Sequence, residues 1–141
     1  MTDAPDTLVV RPALIRDVKS LVALIEPFVT QKILLPRTID ELALLLPNYF
    51  VAEDQGRVVG CAALEIYSSK LAELRSLVVH PDYQHRGVGH KLVAACVGRA
   101  RDEEVLEVMA ITSAEVFFQS CGFDFTLPGQ KKALFFQTRE S

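Results

Sequence analysis

A chain of 141 residues, half of them hydrophobic, carrying a net charge of −3, has the size and composition of a single globular domain spanning 1–141. This composition excludes global disorder, and the acidic balance argues against bulk affinity for nucleic acid or an anionic membrane. No window holds the ~18 consecutive apolar residues of a membrane span, and the opening "MTDAPDTLVV" does not read as a signal peptide.

In chain order, "TLVVRPA" (7–13) reads as a first strand. "IRDVKSLVALIEPFV" (15–29) carries apolar residues at helical spacing. "ILLPRT" (33–38) is an apolar loop, after which Thr38 and Glu41 form a capping box for "IDELALLL". "YFVAEDQGRVVGCAALEIYS" (49–68) is a hairpin around a glycine turn, and "KLAELRSLVVH" (70–80) is a further strand. "GHKLVAACVGRARD" (89–102) is a helix and "VLEVMAIT" (105–112) a buried strand. "SAEVFFQSCGF" (113–123) is a short helix ended by Gly122, with Ser113 as its cap, and "KKALFFQT" (131–138) is a last strand. This order predicts a mixed α/β (α+β) domain with a mostly antiparallel sheet. Cys61, Cys96 and Cys121 are odd in number and form no CxxC pair. They read as small hydrophobes in a reducing cytoplasm.

The stretch "VVHPDYQHRGVGHKLV" (78–93) carries the densest signal. Its histidines, His80, His85 and His90, are spread over a strand end, a turn and a helix start, which is poor zinc-ligand spacing, so no metal is expected. The Rossmann glycine pattern fails at Leu92, and the P-loop pattern fails at His90-Lys91. What remains is Gln84-His85-Arg86-Gly87-Val88-Gly89 between a strand and a helix. Two glycines permit close backbone approach, and the helix start offers free N–H groups beside Arg86, His90 and Lys91. The pattern reads as an anion cradle of pyrophosphate size, or as an ordinary glycine-rich turn. In strand 70–80, alternation holds through Ser76 and breaks at Leu77-Val78-Val79. A bulge near 76–78 or burial of both faces accounts for this.

The Gln84–Gly89 pattern, with "AELRSLVVHPDYQHRGVGHKLV" before and across it and "AITSAEVFFQSCGF" after it, resembles the GCN5-related N-acetyltransferase (GNAT) superfamily. The resemblance implies acetyl-CoA as co-substrate and splayed central parallel strands flanked by helices. It places Leu77, Val78 and Val79 along the pantetheine, and Gln84, His85, Arg86, Gly87, Val88, Gly89 and His90 around the pyrophosphate.

Amine acetylation needs a route for the amine proton and stabilisation of charge on the carbonyl oxygen. Glu73 is the candidate base, as in many members of the superfamily; its alternative role is a surface pair with Arg75 on the same strand face. Many members carry a tyrosine four residues before the glycine of the "GF" pair. Here that position is Phe118, beside the cofactor, so either the thiolate leaves without a tyrosine acid or the Thr112 or Ser113 hydroxyl assists it.

"ILLPRT", "AELRSLVVHPDYQ" and "AITSAEVFF" further resemble amino-acid acetyltransferases that make N-acetylglutamate in arginine synthesis. That implies a small amino-acid acceptor, glutamate first, held through carboxylates by Arg37, Arg75, Lys131 and Lys132. Arg37 reads equally as a solvated loop cation. The alternatives are another acceptor (a protein N-terminus, lysine, polyamine or drug) or a catalytically silent acyl-CoA-binding module. The apolar "ALFFQ" run is a candidate edge for a homodimer.

Overall fold

The computed structural model describes residues 4–32 and 37–138. Most of the "ILLPRT" loop, residues 33–36, therefore lies outside the described residues.

Five strands form one sheet in sequence order: β1 (Leu8–Pro12), β2 (Tyr49–Asp54), β3 (Arg57–Ile66), β4 (Leu71–Val79) and β5 (Glu107–Met109). The first four are antiparallel neighbours, and β5 joins β4 in parallel. Four helices flank the sheet: α1 (Val18–Thr30), α2 (Ile39–Leu45), α3 (Val88–Asp102) and α4 (Glu115–Ser120). Thr38 Oγ1 accepts from the Glu41 N–H, and the Glu41 carboxylate accepts from the Thr38 N–H, so the expected capping box starts α2.

The period-two rule divides the strand side chains between two cores. Phe50, Ala52, Ala62, Leu64, Ala72 and Leu74 pack with α3 and Phe118. Tyr49, Val51, Cys61 and Ala63 pack with α1 and α2. Val78 has the parity of Ala72 and Leu74 but packs in the second core. The cause is a bulge. Ala63 pairs with Arg75 and Cys61 with Val78, so Ser76 and Leu77 together oppose Ala62. Ser76 takes a left-handed conformation, with φ of 55°. Of the two explanations for the broken alternation, the bulge is the one found.

At the edge of the sheet the structure departs from expectation. Strand 105–112 is reduced to three paired residues, and β5 is half-buried at most. Residues 131–138 form no strand, and Leu134, Phe135 and Phe136 are exposed. With no strand beside it, the outer edge of β5 is not covered by another element among the described residues. Cys61 and Cys96 are buried, and Cys121 is partly so.

Arg11 ties β1 to the turn before α1 and to β2. Its guanidinium donates to both Asp17 carboxylate oxygens at 2.8 and 3.0 Å and to Glu53 at 2.8 Å. Asp17, only 4% exposed, also accepts from the Leu14 N–H at 2.7 Å.

Candidate active site

Beyond Glu73 and Met109, β4 and β5 no longer pair, although β4 continues to Val79. This splay opens a cleft of about 570 Å³. Its lining brings together the β4 run from Glu73 to Leu77, the run from Ala110 to Ala114 after β5, Phe117 and Phe118 of α4, Ile25 of α1, Arg37 and Tyr49.

The bulge gives the cleft its chemistry. Ser76 and Leu77 together oppose one residue on β3, so the ladder is locally disrupted beside the cleft. The Ser76 carbonyl accepts a 3.4 Å contact from the Cys61 thiol. Burial pushes that thiol up to about 12, so it stays protonated and donates.

Glu73 lies in the cleft, but its partner is not Arg75. Glu73 accepts from the Tyr67 hydroxyl at 2.6 Å, while Arg75 donates to Glu65 at 2.8 Å. The register explains this exchange. Glu65 stands directly opposite Glu73 across β3 and β4, and like charges facing each other are unfavourable. Arg75 neutralises one carboxylate, and Tyr67 gives the other a neutral donor. The bond to Glu73 is the main reason the Tyr67 hydroxyl is raised to about 12.

Thr112 and Ser113 both line the cleft. Thr112 Oγ1 accepts from the Ala114 N–H at 2.9 Å, which leaves its own proton available to donate. Ser113 does not cap α4. The cap position falls on Ala114, with no side-chain cap bond, because α4 begins at Glu115.

The glycine turn sits at the start of the fifteen-residue α3. Gly87 is the cap residue, with φ of 81°, a conformation that favours glycine. Gly89 serves differently: a Cβ there would stand 3.1 Å from Phe117 Cζ. Its bareness lets α3 lie against a residue that lines the cleft. The Arg86 Nε is buried and has no partner among the described residues, while its guanidinium lies 5.4 Å from the Tyr83 ring centroid. An orphaned cationic donor beside free helix N–H groups fits a phosphate.

The remaining residues of the stretch have structural contacts. The Gln84 side-chain amide donates to the Val79 carbonyl at 3.0 Å and ties down the end of β4. Val88 and Val78 are core side chains. His85 is exposed, with φ of 62°. The His90 ring packs edge-on against Phe117 and lies 2.9 Å from the Ser120 hydroxyl. His80 accepts from the Asp82 N–H. The three histidines thus sit in separate surroundings.

Arg37 and Arg75 both reach the cleft, whereas Lys131 and Lys132 are exposed and absent from its lining. Sequence reasoning missed Tyr49, which lines the cleft from within the core. Its hydrophobic neighbours on β2 made it read as packing alone.

The sheet splays beside a bulge, and a phosphate-fitting turn opens the neighbouring helix. Residues 47–124 match the model of the acetyltransferase (GNAT) domain, and the chain belongs to the GNAT family. It is 33% identical over 120 residues to an uncharacterized N-acetyltransferase of Chlorobaculum tepidum, covering 85% of this chain and 77% of that protein. It is 31% identical over 138 residues to the amino-acid acetyltransferase of Pasteurella multocida, covering 94% of this chain but only 31% of that longer protein. Among solved structures, Rv2747 from Mycobacterium tuberculosis, in complex with CoA and NLQ, superposes with a TM-score of 0.79 at 33% identity, covering 89% of this chain and 76% of that one. N-acetylglutamate synthase from Neisseria gonorrhoeae, complexed with coenzyme A and N-acetyl-glutamate, gives 0.75 at 27%, covering 83% of this chain and 28% of that one. No helix among the described residues is long and apolar enough to cross a membrane.

Proposed function

We propose that this chain transfers the acetyl group of acetyl-CoA to the amine of a small amino acid, with glutamate as the first candidate. The observation that carries the reading is one cleft holding a carboxylate, Glu73, and two guanidinium groups, Arg37 and Arg75, beside the β4 bulge. The relatives named for amino-acid acetylation and the neighbour holding N-acetyl-glutamate support it.

Acetyl-CoA supplies the acetyl group as a thioester. Arg86 and the N–H groups that open α3 hold its phosphates, with Gly87 and Gly89 setting the turn. The bulged backbone of Ser76 and Leu77 lies along the pantetheine arm and offers donors to the carbonyl oxygen as it gains charge. Glu73, fixed by Tyr67, takes the proton from the acceptor amine, directly or through one water. Arg37 and Arg75 hold carboxylates of the acceptor. Phe118 has no hydroxyl, so the Thr112 hydroxyl is the side-chain donor nearest in role for the departing sulfur. Release of free CoA on addition of glutamate tests this reading.

A further inference from the structure

A second recess, of about 20 Å³, shares Arg37, Tyr49, Arg75 and Ser76 with the cleft. That recess admits only a small group of a few heavy atoms. Its chemistry selects the group. Arg37 and Arg75 are donors only. Glu65 also lines the recess, but its carboxylate is already taken by Arg75 at 2.8 Å. The remaining polar side chains are Asn48, Ser76 and Tyr49, the last 2% exposed with its ring packed in the core under α1. Ser76 lines the recess with it, and the charges of Arg37 and Arg75 both act on its phenol. Burial raises its pKa above the ordinary 10.0, so the phenol keeps its proton throughout the working range. A recess supplied with two guanidinium groups and a protonated phenol rejects an ammonium and suits a small planar anion.

We propose that Tyr49 is a substrate-binding residue, whose phenol joins Arg37 and Arg75 in receiving one carboxylate of the acceptor amino acid in this recess. The inference rests on the amino-acid reading above and adds the residue that discriminates carboxylate from amide. A hydroxyl donor on a buried carboxylate is a charge-assisted bond, and an uncharged amide in the same place recovers little of it.

The test uses Tyr49→Phe, which keeps the ring that fills the core. KM for glutamate should rise about tenfold or more, while KM for acetyl-CoA stays unchanged. The two monoamides of glutamate, at the α and the side-chain carboxyl, supply the ligand side. The penalty should disappear for one of them, the one lacking the recess carboxylate. An equal penalty on glutamate and both amides, or none on any, overturns the proposal. Wild-type protein that never turns over glutamate instead overturns the glutamate reading, and this inference falls with it. Should Tyr49→Phe not fold, wild-type protein labelled at the tyrosine Cζ carbons gives the same answer. With resonances assigned through Tyr67→Phe and Tyr83→Phe, glutamate should move the Tyr49 signal and one monoamide should not. Equal response to glutamate and both amides, or no response, overturns the proposal.

Discussion

At the scale of single residues, the cleft separates two kinds of work. Glu73 is the carboxylate aimed into it, and its bond to Tyr67 fixes its direction. Replacing Glu73 with Gln keeps shape and removes basicity. kcat should fall by roughly 10²-fold while acetyl-CoA binding, followed by calorimetry, stays as in the wild type. A kcat within a factor of about two or three of wild type would pass the proton to another group or to solvent. Arg37 is expected to act on binding instead. Arg37→Ala should raise KM for glutamate by tens of times or more, as for loss of one side of a charge-assisted pair costing about 2–5 kcal/mol. An unchanged KM removes Arg37 from the acceptor site. Glu73 was legible as a residue of the cleft because it lies on the strand leading to the glycine turn. Its partner was not. Spacing along one strand pointed to Arg75, but the cross-strand register put Glu65 and Glu73 face to face and redistributed the donors.

At the scale of elements, the break in β4 was readable because period-two alternation is strict and fails at Leu77–Val79, but a bulge and burial of both faces explained it equally well. The short β5 and the unpaired 131–138 segment were not readable. Both runs are apolar, and apolarity reports a preference for burial without naming the neighbour that supplies it. The Arg11–Asp17–Glu53 cluster was likewise invisible, since Arg11 and Glu53, 42 residues apart, meet only through the β1–β2 pairing. That cluster carries a stability prediction. The Arg11 guanidinium, foremost, holds the Asp17 carboxyl below its ordinary 3.8 in the folded chain. A depressed folded-state value means the contribution is fully present above the unfolded value and lost as pH falls through the folded one. Asp17→Asn should therefore destabilise the domain by about 3 kcal/mol near neutrality. The gap between wild type and variant in urea unfolding should close below about pH 4. A gap that persists unchanged in acid would mean the pair is not what Asp17 contributes.

At the scale of the whole molecule, the order of elements up to α4 was legible because each carried its own periodicity and punctuation. The glycine turn was legible for a similar reason: a left-handed cap and a helix start demand particular residues. The recess beside the cleft was not, because its walls come from the segment before α2, the end of α2, β2, β3 and β4, and only folding brings them together. The central claim is that this assembly acetylates a carboxylate-bearing amino acid. The direct measurement is steady-state release of free CoA from acetyl-CoA by the wild-type chain, with glutamate compared against glutamine, lysine, a polyamine and a peptide N-terminus. Turnover with glutamate is expected at the highest kcat/KM, with N-acetylglutamate formed in equal amount to CoA. A polyamine or peptide acetylated in preference to every amino acid, or no acceptor-dependent CoA release at all, would contradict it.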